Sequence, residues 1–131
     1  MKNIILITTL LIFTASCNRT PAPHPEQVAK HFLTAYFSVD FEQLLPLCGA
    51  ALHSDLEQSA QAILATPPQA LEQRRQELAA YSFRIENVQV NRKKDSAFVT
   101  YLISIPNVLQ EKESHLTLVK EASEWKVVKL L

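Results

Sequence analysis

Residues 97–105 read Ala-Phe-Val-Thr-Tyr-Leu-Ile-Ser-Ile. The odd-numbered positions carry Ala, Val, Tyr, Ile and Ile, and the even-numbered positions carry Phe, Thr, Leu and Ser. Side chains alternate between the two faces of a β-strand, so this period of two predicts a strand with one fully apolar face. Pro106-Asn107 ends it, because proline cannot donate a hydrogen bond to a neighbouring strand. The polar segment 91–95 predicts a hairpin turn ahead of it.

The same period of two continues on both sides of this segment. Upstream, the alternation slips by one position near Glu86-Asn87, which predicts a β-bulge. Downstream, two more alternating stretches are separated by the polar turn at 122–124. Sequence therefore predicts antiparallel strands at about 81–90, 97–105, around 116–118 and 125–131.

The first half of the chain has helical spacing instead. Apolar residues recur at intervals of three and four over 25–38, which predicts an amphipathic helix. Asp40 with Gln43, and Ser54 with Glu57, match capping boxes and predict two further helix starts. A mostly polar helix follows, to about residue 80. Helices in one half and antiparallel strands in the other predict an α+β fold, with the helices packed on the sheet.

Composition excludes several classes of site. The 131 residues carry 13 basic and 13 acidic side chains, and the only basic run, 92–94, falls in the predicted turn. No nucleic-acid interface is therefore expected. The single glycine, Gly49, excludes the glycine-rich loops that cradle phosphates or dinucleotides. No histidines or cysteines have the spacing of metal ligands, so neither a metal nor a cofactor is expected.

The N-terminus has the layout of a bacterial signal peptide. Lys2 precedes an apolar run, Ile4–Phe13, that is too short to span a bilayer, and small residues lead to Cys17. This pattern resembles the lipobox of bacterial lipoproteins, in which that cysteine is lipidated and becomes the mature N-terminus. Two alternatives are ordinary secretory cleavage, with Cys17 incidental, and an uncleaved anchor. Asn18 is not the aspartate that retains some lipoproteins at the inner membrane.

The lipoprotein resemblance implies a location and a division of the chain. Cys17 would hold the protein to the membrane of the cell envelope, and the residue at 18 favours the outer membrane, facing the periplasm. Three prolines within 18–25 favour an extended tether. The expected segments are a signal peptide at 1–16, a lipidated cysteine and proline-rich tether at 17–25, and a single domain at 26–131.

The domain itself resembles a known superfold. The helix 26–36, the helix led by Asp40, and a last hairpin ending Glu124-Trp125-Lys126-Val127-Val128 are similar to the cystatin-like group that contains nuclear transport factor two, ketosteroid isomerase and scytalone dehydratase. More narrowly, they resemble small bacterial lipoprotein domains of unknown function in that group. The resemblance implies a curved sheet of about four strands wrapped around a helix to form a cone. It also implies a mouth that can hold an apolar ligand and an outer sheet face that can form a homodimer.

Four residues are candidates for the cone pocket: His31, Tyr36, Tyr101 and Trp125. The aromatic residues offer stacking surface and hydroxyl groups, although burial as core residues is enough to account for their presence. His31 borders the apolar stripe of the first helix. No complete catalytic set is recognisable, so no catalytic residue is assigned.

Sequence leaves three functions open. The first is a non-enzymatic envelope lipoprotein that binds a small apolar ligand or a protein partner. The second is an isomerase- or dehydratase-like enzyme that uses His31, Asp40 or Tyr101. The third is a structural envelope protein that dimerises through its sheet.

Overall fold

The structure, a computed structural model, describes residues 23–131. The predicted signal peptide at 1–16, Cys17 and the chain up to residue 22 lie outside the described residues, so the predictions made for them stay predictions. Within residues 23–131, no helix combines the length and the apolarity needed to cross a membrane.

Helices precede strands along the chain, as predicted. The helical half also contains one short 3-10 turn, at Leu45–Leu47. The elements are α1 Pro25–Phe37, α2 Phe41–Leu44, α3 Ala50–Leu64, α4 Pro68–Ala79, β1 Ser82–Val90, β2 Ser96–Ser104, β3 Lys112–Glu121 and β4 Glu124–Leu130. The α+β class is confirmed, and so is a sheet of four strands.

The sheet is an antiparallel meander in the order β1-β2-β3-β4. Val99 at its centre lies opposite Val88 on β1 and Leu116 on β3. The predicted bulge is confirmed, because the β1–β2 register shifts between Ile85 and Asn87. A second shift interrupts the β3–β4 pairing. Bulges bend strands and increase their twist, which curves the sheet around its concave face.

Helix α1 fills that concave face. Ala29, Phe32 and Leu33 are fully buried, because their side chains form the stripe that packs on the sheet. The buried residues of the sheet that complete the core come from three strands. They are Ala97, Val99, Tyr101, Leu116, Leu118, Trp125 and Val127.

One predicted helix start is right and the other is wrong. Asp40 caps α2 and accepts a hydrogen bond from the Gln43 N–H at 3.3 Å. Ser54 and Glu57, however, lie inside α3, which begins at Ala50 after Gly49. Their pattern matched a cap by chance.

Contact with the sheet sets the start of α3. The Gly49 N–H donates to the Val127 carbonyl at 2.8 Å, which fixes the chain against the edge strand β4. A Cβ atom at position 49 would lie 2.7 Å from Val128 Cγ1, so the close approach requires glycine. The helix starts at the next residue because the backbone is already fixed there.

Candidate ligand-binding cavity

A cavity opens between the last turn of α1 and the concave face of the sheet. Its volume is about 570 Å³. We call it the cone cavity. Its lining residues come from α1, β2, β3 and the end of β4, and they are Tyr36, Phe37, Tyr101, Ile103, Lys112, Glu113, Ser114, His115, Leu130 and Leu131.

Aromatic rings form the helix side of the cone cavity. Tyr36 stacks on Phe32 with ring centroids 6.1 Å apart, and it meets Phe37 edge-on at 5.6 Å. Phe37 in turn stacks on Phe83 of β1 at 5.9 Å. These contacts hold Tyr36 and Phe37 in place, so the apolar wall exists before any ligand arrives.

Two hydroxyl groups lie at the base of the cone cavity. Tyr101 on β2 is 3% exposed and lies opposite Ser114 on β3. The Ser114 hydroxyl donates to the main-chain oxygen of Leu131. Burial raises the pKa of Tyr101, the Ser114 hydroxyl beside it acts in the opposite direction, and Tyr36 raises it further. The phenol therefore stays protonated at neutral pH and can donate a hydrogen bond.

The rim of the cone cavity is polar. Lys112 and Glu113 open β3 and are exposed. The paired stretch of β4 reaches only to Leu130, which lies opposite Leu116, so no described strand flanks Lys112 and Glu113 on that side. The Lys112 ammonium at the mouth and an apolar interior suit an amphipathic ligand, whereas the Glu113 carboxylate pairs with His115 on the outer face.

The structure separates the four residues predicted for the pocket. Tyr36 and Tyr101 line the cone cavity together. His31 is exposed on the outer side of α1, in a separate depression of about 480 Å³ with Thr34 and Leu47. Trp125 is buried on the concave face, but at the opposite end of the sheet, beside the start of α1.

Several cavity residues had not been singled out from sequence. Ile103 belonged to the apolar face of the predicted strand, and Phe37 to the predicted first helix, so both carried a usable signal. Ser114 carried none, because a single serine in a strand resembles any other solvent-facing position. Its position opposite Tyr101 follows from the β2–β3 register.

The structure does not bring together the three residues named for an isomerase- or dehydratase-like active site. Asp40 caps α2, His31 lies on the outer side of α1, and Tyr101 lies inside the cone cavity. The three side chains therefore line no common site. Within residues 23–131, no group of three or more His, Cys, Asp or Glu residues is placed to hold a metal ion.

Cys48 is the free cysteine of the described chain, and it is buried. Its thiol donates to the Leu44 carbonyl at 3.4 Å. Burial raises the pKa of the Cys48 thiol to about 11, against the opposing effect of Lys126. This thiol is therefore poorly suited to act as a nucleophile.

We expect Cys48 to resist alkylation in the folded protein. At pH 8, a thiol with a pKa of about 11 is about 0.1% thiolate, so iodoacetamide should react roughly a hundredfold more slowly than with the urea-unfolded chain. Because folding raises this pKa, stability should be unaffected below about pH 9 and should fall as the pH rises toward 11. Mass spectrometry of timed samples measures the rates, and equal rates for folded and unfolded protein would contradict the burial.

The outer face of the sheet carries a smaller aromatic cluster. Phe98 stacks on His115 with ring centroids 5.0 Å apart. His115 Nδ1 lies 3.3 Å from the Thr100 hydroxyl, and its Nε2 lies 3.5 Å from a Glu113 carboxylate oxygen. These are cross-strand contacts that stabilise the β2–β3 pair.

Comparison with known proteins gives the fold. No protein-family model matches the chain, and no curated protein matches it in sequence. Among solved structures, the chain is similar to a Campylobacter jejuni protein described as an NTF2-like transpeptidase, with a TM-score of 0.51 and 19% sequence identity. The match covers 82% of this chain and 99% of that one. The fold is therefore NTF2-like, that of nuclear transport factor two, which confirms the cone architecture implied by the sequence resemblance.

Proposed function

We propose that this chain is a lipid-anchored protein of the bacterial cell envelope, and that its cone cavity binds a small, mostly apolar ligand without chemical turnover. The observation that supports binding most directly is the cone cavity, with about 570 Å³ of space beneath a preformed aromatic wall. Sites for small molecules commonly measure about 300–1,000 Å³ and combine apolar walls with a few placed polar groups.

The base of the cone cavity indicates the chemistry of the ligand. The protonated Tyr101 hydroxyl can donate a hydrogen bond, and the Ser114 hydroxyl beside it already donates to Leu131. An apolar ligand that carries one hydrogen-bond acceptor at its inner end could accept a hydrogen bond from Tyr101. Lys112 at the rim would leave the outer end of the ligand in a polar setting.

The position of the cone cavity suits an anchored protein. Tyr36 and Phe37, in the last turn of α1, line it, whereas the chain toward Cys17 leaves from the first turn. A helix of 13 residues is about 20 Å long. The mouth therefore lies at the far end of the domain from the proposed lipid, open to ligands in the periplasm.

The enzyme alternative has less support. His31, Asp40 and Tyr101 line no common site, and the described thiol, Cys48, is held protonated. Acyl transfer of the kind named for the Campylobacter jejuni protein requires an activated nucleophile. A binding role makes no such demand.

The remaining alternatives, a protein partner and a homodimer, would use the outer sheet face. Phe98 is 39% exposed there. Its ring stacks on His115. The support for an interface on this face is therefore one exposed aromatic ring, less than the cone cavity offers for a ligand.

Native mass spectrometry tests the binding proposal. The protein would be purified from bacterial membranes and released gently from detergent in the spectrometer. The proposal expects a persistent extra mass per chain besides the lipid, lost when the cone cavity is filled by Ile103→Trp. A clean mass for the native protein would instead support a structural or interaction role.

We expect Tyr101→Phe to weaken binding of the dye 1-anilinonaphthalene-8-sulfonate about tenfold. Its sulfonate is an acceptor for the Tyr101 hydroxyl, and a hydrogen bond to a charged group contributes about 1.5 kcal/mol. A fluorescence titration measures the dissociation constant. The substitution removes only one oxygen atom, so the apolar wall stays intact.

Tyr81→Phe is the matched control for this titration. Tyr81 loses the same hydroxyl, but it lies outside the lining of the cone cavity, in a separate depression beside Leu78 and Phe83. Its affinity for the dye should equal that of the native protein. Equal affinities for all three proteins would contradict a polar contact at Tyr101.

A further inference from the structure

A second cleft lies at the start of α1, at the opposite end of the domain from the cone cavity. Its volume is about 430 Å³. We call it the tether cleft. Its lining residues come from the chain entering α1, from the β1–β2 turn and from the β3–β4 hairpin, and they are Pro23, His24, Pro25, Val90, Asn91, Lys94, Lys120 and Trp125.

The turn that carries Lys94 is held rigidly. The Asn91 side chain accepts hydrogen bonds from the N–H groups of Asp95 and Ser96 at 3.0 and 3.1 Å. The Lys120 N–H donates to the Asp95 carbonyl at 2.8 Å, which joins the turn to the end of β3. Lys94 and Lys120 are thereby placed on the same cleft.

Within residues 23–131, Lys94 and Lys120 are the two lysines that line the tether cleft, and no Asp or Glu lines it. Among the described residues, no carboxylate lies within 4.0 Å of the charged groups of Lys94 and Lys120, nor of their neighbours Arg92 and Lys93. Residues 1–22 contain no Asp or Glu at all. These cations are therefore available to an external anion.

Two of the four nearby carboxylates are already engaged. Asp95 accepts a hydrogen bond from the Asn91 amide at 2.5 Å, and Glu124 pairs with Lys126 at 3.2 Å. Glu26 in the first turn of α1 and Glu121 at the end of β3 are two further acidic side chains of this end. Neither lines the tether cleft.

An apolar wall lies beside the lysines. The Lys120 ammonium sits 5.8 Å from the centre of the Trp125 ring, and Val90 is 40% exposed at the cleft. Charged and apolar surface within one cleft suits a molecule with a phosphate next to hydrocarbon.

The chain to the proposed lipid leaves from the tether cleft itself. Pro23 lines the cleft, and six peptide units separate it from Cys17. A fully extended chain spans at most about 22 Å over that length. If Cys17 carries the lipid, as the proposed function holds, the cleft cannot be far from the membrane surface.

We propose that the tether cleft, through Lys94 and Lys120, binds the phosphate head group of an anionic phospholipid in the membrane that holds Cys17. This contact orients the domain, with the tether cleft on the head groups and the mouth of the cone cavity directed away from the bilayer. It adds an electrostatic contact to the lipid anchor, and such contacts weaken as salt rises.

Trp125, the single tryptophan of the chain, is a built-in reporter for this contact. The full chain, purified in detergent, would be reconstituted into vesicles of phosphatidylcholine, or of phosphatidylcholine with phosphatidylglycerol, each with a trace of dansyl-labelled phosphatidylethanolamine. Energy transfer from Trp125 to dansyl measures how close the cleft lies to the head groups. We expect higher transfer with phosphatidylglycerol, and loss of that increase in concentrated NaCl.

Two double variants test whether the increase in energy transfer depends on the lysines of the tether cleft. Lys94→Gln/Lys120→Gln should lose the whole increase caused by phosphatidylglycerol. Arg74→Gln/Arg75→Gln removes the same charge from α4 and should keep it. Equal transfer in the two kinds of vesicle, or an increase that the lysine variant retains, would overturn the proposal.

A second arm separates lipid from free phosphate. Inorganic phosphate, compared with chloride at equal ionic strength, should leave the Trp125 emission of the detergent-solubilised protein unchanged. A saturating response that the lysine variant removes would make the cleft a free-phosphate site and overturn the lipid assignment. The intact mass of the same sample reports lipidation of Cys17, so failure of the anchor is distinguished from failure of the cleft.

Discussion

Replacing Cys17 by serine is expected to remove the protein from the membrane fraction, or to leave it unprocessed. Each buried methylene contributes about 0.8 kcal/mol to membrane binding, so the two or three acyl chains of a lipoprotein cysteine hold it almost irreversibly. If Cys17 carries the proposed lipid, this one substitution removes the whole anchor. Fractionation of cells followed by intact-mass measurement gives both the location and the processing of the variant.

Cys48→Ser is the matched control, because it makes the same chemical change at the other cysteine of the chain. Cys48 is buried beside Leu44 and Val127, so its loss should affect stability and leave membrane attachment unchanged. A Cys17→Ser protein that still sediments with membranes at the mass of the native protein would contradict the lipid anchor.

The fold was largely predictable from sequence because its signals are local. Alternation along β2 and the slip at Glu86-Asn87 follow directly from the period of a strand, and the register confirms both. The Asp40 cap was predictable because its hydrogen bond, from the Gln43 N–H, joins two residues only three positions apart. Ser54 fails because Gly49, bound to β4, fixes the start of the same helix five residues earlier.

The candidate site was only partly predictable, for a physical reason. A period of two indicates which face of the sheet a side chain occupies, and Tyr101 and Trp125 do both lie on the concave face. It does not indicate which end of α1 each residue meets. That depends on strand register and on how α1 crosses the sheet, so Tyr101 reaches the cone cavity and Trp125 the tether cleft.

His31 illustrates the same limit on a helix. It is adjacent in sequence to the buried Phe32, yet one step along a helix turns the side chain by about 100°, which places it on the exposed side. Sequence spacing alone does not tell whether a residue next to the apolar stripe is half-buried at its edge or fully exposed. Packing against the sheet makes that distinction.

The second large effect is expected from Phe32→Ala, which should lower the free energy of unfolding by about 3–5 kcal/mol. Phe32 is fully buried at the centre of α1 and stacks on Tyr36. The truncation leaves a cavity that the surrounding sheet can fill only in part. Urea unfolding followed by the fluorescence of Trp125, itself part of the core, measures the loss.

Phe98→Ala is the matched control. It also removes an aromatic ring, but from the surface, so the difference in the free energy of unfolding reports the effect of burial. Phe98 is 39% exposed on the outer face and stacks on His115, so its truncation should cost about 1 kcal/mol and create no enclosed cavity. The loss in Phe32→Ala should also loosen the wall of the cone cavity, because Tyr36 packs on that ring. Equal losses of stability in the two variants would contradict the burial of Phe32 between α1 and the concave face of the sheet.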